Sequence, residues 1–208
     1  MPISSEKIIE RSVDSLQKIY AVIVALAISL SIQNLLINKT DNSFTLSLKI
    51  LDSLPAFLSF VAVLVPFYHG MNRHLDKCYI EGKKQDTVQG ALLFDFIVFF
   101  FEASILFAVA ASITSGLQSF LLLGSLLFAD MIWALVSHWI HYKKFSPSVV
   151  RWAGINFVTL ILALFVFLTD IYSATPKAWL LFALAVARGV ADYWFCWAFY
   201  FPQETNNN

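Results

Sequence analysis

The chain is 208 residues long, 59% of them hydrophobic and only 13% charged, with a formal net charge of zero. Soluble domains carry about twice that charge, and a neutral chain offers nothing to nucleic acid or to an acidic partner. The two cysteines, Cys78 and Cys196, lie far apart and make no CxxC, which excludes a disulfide framework.

The chain opens on a polar stretch with charges of both signs, and Ser4–Lys18 reads as a short amphipathic helix. Ser4 or Ser5 is the N-cap, and Ile9, Val13 and Leu16 share one face. Two placements stay open for it: flat on the cytoplasmic surface, or continuous with the first span. Ile19–Ile37 is that span. It is too long for a signal-peptide core, so it is expected to be retained. Asn38-Lys39-Thr40 then spells a glycosylation sequon on the outer side.

Crossing the hydrocarbon core takes about 20 apolar residues, and five more segments supply them. They are Ile50–His69, Gly90–Ile113, Leu117–His141, Val149–Thr169 and Ala178–Phe201, and residues 202–208 read as a disordered tail. Strand-like alternation is absent, which argues against a membrane barrel. The expectation is an all-α, polytopic six-helix bundle. Ten Lys and Arg residues fall on the side of the N-terminal segment and of the connections after the second and fourth spans, against Lys39, Lys49 and Lys177 opposite. That bias puts both termini in the cytoplasm. A plasma or inner membrane is the expected location.

Ionisable residues inside the spans carry the functional reading, since each costs about 2.5–3.5 kcal/mol to insert in mid-helix. The third span holds Asp95 and Glu102, seven residues apart on one face; the fourth holds Asp130; the sixth holds Arg188 and Asp192, one turn apart. Depth sorts them into a midplane layer of Glu102, Asp130 and Arg188 and a cytoplasmic layer of Asp95, Asp192, His69, His138 and His141, with His74 at the rim. The bland account makes Arg188 and Asp192 a neutral pair that fastens helices together. One arginine cannot balance three acids, however, so at least one acid would hold a proton or a cation. The first and fifth spans carry no ionisable residue in mid-membrane and are expected to be scaffold.

Three function classes follow. Glu102, Asp130, Arg188, Asp192 and Asp95 could form a path for protons, metal cations or a small cationic solute, with His69, His138 and His141 around a cytoplasmic vestibule. The chain could instead be an assembly subunit, docking a homo-oligomer or another protein through small residues (Ala21, Ala25, Ser29) or the Gly70–Gln89 loop. A membrane enzyme is the third class and the least favoured. A metal at His138 and His141, completed by His69, Asp95 or Asp192, has helical precedent in bundles. A haem between His69 and His138 rests only on matching depth. No cofactor is predicted. Nucleophile elbows, P-loops and dinucleotide fingerprints are absent.

Overall fold

A computed structural model describes residues 5–36, 50–81, 88–142, 147–169 and 173–202, with the side chains of residues 5, 6, 88, 89, 141, 142 and 147 left aside. Among the described residues the chain is all-helical. The six long helices are α1 (Ser5–Leu36), α2 (Ile50–Leu75), α3 (Val88–Ala111), α4 (Leu117–Ser137), α5 (Pro147–Leu168) and α6 (Ala174–Phe195), followed by one short turn, α7 (Trp197–Tyr200). All six long helices are apolar and long enough to cross a membrane. The sequon, Lys39, Lys49, Lys83, Lys84, Lys143, Lys144 and residues 203–208 lie outside the described residues.

The segment before the first span belongs to α1, which runs unbroken into it. Val13 and Leu16 are buried there, so the amphipathic face packs on the bundle. Gln17 on the same stretch donates to Asp76 (2.9 Å) and to the Asn72 carbonyl (3.4 Å) at the far end of α2.

The helices close into a ring in the order α1, α3, α4, α5, α6, α2, with α2 also touching α4 inside it. Short connections make α3 and α4 antiparallel neighbours. The turn between them is fixed by Ser119, whose hydroxyl donates to the Ser112 carbonyl (2.7 Å), and by Gly116 at φ +60°, a conformation that side chains resist. Asn34, near the end of α1, donates to the Ala110 carbonyl (3.1 Å) and pins that helix to α3 at the same end.

The α2–α6 contact rests on a proline. Pro66 lacks the amide that would bond the Ala62 carbonyl one turn back, and Gly189 of α6 packs against that carbonyl and the Pro66 ring.

The burial pattern is inverted relative to a soluble protein. Large apolar side chains such as Val22, Phe101, Phe165 and Val190 face outward, while Asp95, Glu102, Asp130, Asn156, Arg188 and Asp192 are buried. Water would penalise such an exterior and a bilayer rewards it. Trp139, Trp194 and Trp197 stand exposed near the ends of α4 and α6, where indoles sit in a membrane-interface belt.

Two helix ends depart from α geometry. Single π-helical turns, Asp76–Ile80 and His138–Tyr142, extend α2 and α4 at the same end of the bundle. The sixth span also stops earlier than its hydropathy predicts. It breaks at Cys196 (φ −110°, ψ 19°), and α7 folds back beneath the bundle.

Candidate functional site

Two buried polar networks and one isolated acid occupy the interior. The first network starts near the middle of the bundle. Asp130 on α4 accepts a hydrogen bond from the Asn156 amide on α5 (2.6 Å), and the Asn156 carbonyl accepts one from Arg188 Nε on α6 (2.9 Å). An amide side chain has one donor end and one acceptor end. Asn156 therefore satisfies an anion and a cation at once and holds them apart. Arg188 Nη1 lies 3.4 Å from Asp192 Oδ2, one turn along α6, and the same oxygen accepts from the Tyr200 hydroxyl (3.0 Å). The chain Asp130–Asn156–Arg188–Asp192–Tyr200 thus runs from mid-bundle to the end that carries the π-helical turns.

The second network centres on Asp95 of α3. Its carboxylate accepts from His74 Nε2 (3.1 Å), the Tyr79 hydroxyl (2.7 Å) and Trp133 Nε1 (2.9 Å). The π-helical turn after α2 carries Tyr79 to this acid. Cys78 Sγ lies 3.7 Å from His74 Nδ1, and the His74 ring meets Trp133 edge-on. His74, expected at the rim, is a buried member of the network, 2% exposed.

Glu102 stands apart. It is fully buried near the middle of α3, and neither carboxyl oxygen has a hydrogen-bond partner among the described residues. Asp130 and Asp95 are the charges within electrostatic range of it. On the adjacent α1, the Tyr20 hydroxyl is also buried without a partner and lies within range of Glu102 and Asp130. The Tyr20 ring is held against Tyr68 and Phe99.

A small cavity with room for about one water molecule separates the two networks. His74, Trp133 and Ser137 line one side of it, and Asp192, Cys196 and Tyr200 are among the residues lining the rest. Of the expected vestibule histidines, His69 packs against the rings of Tyr193, Tyr200 and Phe201, with Nδ1 3.2 Å from the Tyr193 hydroxyl. His138 is half-buried at the start of the second π-helical turn, and the His141 side chain lies outside those described. Among the described residues no three His, Cys, Asp or Glu side chains gather at metal-binding distance.

The structure joins Asp130, Arg188 and Asp192, puts Asp95 in its own cluster, and leaves Glu102 without a hydrogen-bond partner among the described residues. Asn156 was the member that a search for ionisable residues passes over. A lone amide in the middle of the apolar run Gly154–Leu164 is the signal that could have found it. Helix α5 is consequently more than scaffold, although its outer face (Phe157, Ile161, Phe165) is exposed as expected.

At the rim of the bundle, Arg73 donates to both carboxyl oxygens of Glu81, and its Nε donates to the Phe199 carbonyl (2.8 Å). The Arg73 hydrogen bonds hold the Glu81 carboxyl below its usual range. A depressed carboxylate stabilises the fold above its unfolded-state pKa, and the contribution is lost as pH falls through the folded one. Glu81 is half-exposed, so the pair should be worth about 0–1 kcal/mol. The small difference in thermal midpoint between wild type and Glu81→Gln should therefore be present near neutral pH and vanish in acid below the carboxylate range. A difference that persists in acid would show that the pair does not act through charge.

No protein-family model matches this chain, and no curated protein or solved structure is detectably similar to it.

Proposed function

We propose that this protein spans a plasma or inner membrane with both termini in the cytoplasm and takes up a proton or a small cation at Glu102. The observation that carries the reading is the Glu102 carboxyl, fully buried with neither oxygen hydrogen-bonded. An unpaired buried carboxyl is costly as packing and useful as a place to hold a positive charge. Asp130 and Asp192 differ from it, because Asn156 and Arg188 already answer them. They read as the lock that fastens α4, α5 and α6, and Glu102 reads as the acid left over for work. The tight interior favours a proton or a dehydrated ion over a larger solute. The cytoplasmic assignment rests on Lys and Arg, and the described ones among them cluster accordingly. Arg73 and Lys77 close α2, while Arg151 near the start of α5 reaches the Phe195 carbonyl at the end of α6 (3.3 Å).

The test is flux in proteoliposomes, followed with an internal pH dye under an imposed proton gradient and again under a sodium or potassium gradient. Wild type should conduct in one of these arms. Glu102→Gln should abolish that flux while the protein stays folded, because no hydrogen bond of the fold is lost with the charge. Flux that survives Glu102→Gln removes the assignment.

A second reading, an assembly subunit, is favoured by Ala25 and Ser29. These small residues sit one turn apart and exposed on the outer face of α1, where another helix could approach closely. Disulfide trapping through Ala25→Cys in native membranes, together with silence in both flux arms, would favour it.

A further inference from the structure

We propose that Cys196–Phe201 is a strap that gates water access to Asp192 and Arg188, with Arg73 as its latch. The strap begins where α6 breaks at Cys196 and carries Tyr200 back under the bundle, 4% exposed. Cys196, Phe199 and Tyr200 all line the cavity between the two polar networks. Asp192 lines the same cavity, and Arg188 lies one turn back along α6 with Nη1 3.4 Å from it.

Few polar contacts hold the strap shut. Arg73 Nε donates to the Phe199 carbonyl (2.8 Å), and the Tyr200 hydroxyl donates to Asp192 Oδ2 (3.0 Å). At the start of the strap Cys196 Sγ lies 3.7 Å from the Ser148 carbonyl oxygen. Around these contacts is aromatic packing: the Tyr200 ring against His69 and Tyr193, and Lys77 Nζ 5.2 Å from the centre of the Phe199 ring. Gly70 on α2 makes the seat, since a Cβ there would stand 3.2 Å from the Tyr200 hydroxyl.

Closure leaves a cost on the inner side. Ser137 Oγ, Trp152 Nε1 and Asp192 Oδ1 belong to cavity-lining residues and are buried without hydrogen-bond partners among the described residues. Together they offer a donor, an acceptor and a hydroxyl that can be either, which is the set a water molecule satisfies. Opening the strap would break the Arg73 and Tyr200 hydrogen bonds and bring bulk water to these three groups. A short segment held by few side-chain polar contacts can open locally while the bundle stays folded. The inference concerns access to the interior and stands apart from what Glu102 carries.

Cys196 is the reporter, since it is 4% exposed in the closed form. In a Cys78→Ser background, the reaction of Cys196 with a small charged methanethiosulfonate should be slow. It should accelerate about tenfold in Arg73→Gln and in Tyr200→Phe, which remove the hydrogen bonds to the Phe199 carbonyl and to Asp192 respectively. Unchanged rates in both variants would overturn the strap. Should a variant unfold, hydrogen exchange on the unaltered protein decides: Phe199–Phe201 amides exchanging well before those of Leu181–Gly189 support a gate, and equal protection overturns it. Neither measurement reads flux, so a Glu102 that moves no ion leaves the result standing, and a conducting protein with an inert Cys196 removes the strap alone.

Discussion

Arg188→Leu should destabilise the folded protein by about 3–5 kcal/mol, the usual cost of removing one partner from a buried charge network. That is a large share of the roughly 5–15 kcal/mol that typically holds a domain together. The leucine leaves the Asn156 carbonyl without its 2.9 Å donor and leaves Asp192 facing only Tyr200. Asp130 keeps Asn156 but loses the cation beyond it. Arg188→Lys should rescue only part of the loss, because one ammonium on a flexible stem cannot reproduce a fork that serves Asn156 and Asp192 in different directions. Adding Asp192→Asn to Arg188→Leu should recover part of the stability, as coupled sites do. Thermal unfolding in detergent reads all three. An Arg188→Leu protein within about 1 kcal/mol of wild type would mean that the network does not lock α4, α5 and α6 together.

Asp95→Leu is the second large effect. It removes the shared acceptor of three buried donors, on His74, Tyr79 and Trp133, and a buried donor left unmade costs about 1–3 kcal/mol. The sum is not additive, because the three share one acceptor and can relax together. Asp95→Asn should cost less, since the amide keeps one acceptor oxygen but turns a donor toward groups that donate. Tyr79→Phe, which removes the hydroxyl's bond to Asp95, should cost about 1 kcal/mol. Near-UV circular dichroism gives an independent reading, because Trp133 meets His74 edge-on at 4.7 Å and Trp152 at 5.5 Å. Asp95→Leu should flatten that signal, while Tyr79→Phe should leave most of it. Equal signals would place the tryptophan outside the influence of Asp95.

The spans were legible because hydrocarbon thickness sets a length and these apolar blocks meet it with few charges inside. The tight α3–α4 turn was legible too, from Ser112 to Ser119. What the sequence hid has three physical causes. Asn156 was hidden because a neutral amide carries no charge to single out, although hydrogen-bonding both ways made it the link between Asp130 and Arg188. The break at Cys196 was hidden because Trp194 to Phe201 is almost continuously apolar or aromatic. The contacts of Arg73, Ser148 and Asp192 with that run go with its fold-back. The burial of His74 was hidden because it depends on Asp95, twenty-one residues further along the chain. The partnering of the interior acids was hidden for the same reason. Spacing placed Glu102 and Asp130 at one depth, but which of them would be answered depended on the facing helices.

The Asn156–Arg188 hydrogen bond has a consequence for how the chain is made. Synthesis proceeds from the N-terminus, so Asp95, Glu102, Asp130 and Asn156 are all in place before Arg188 emerges. Among the six long helices α6 has the lowest hydropathy, 1.3 against 2.0 to 2.3 for the others, and it brings the arginine with it. Its partition into lipid is the weakest of the set, and the waiting amide and acids offset part of that deficit. The sixth helix thus depends more than the others on polar contacts with the helices before it.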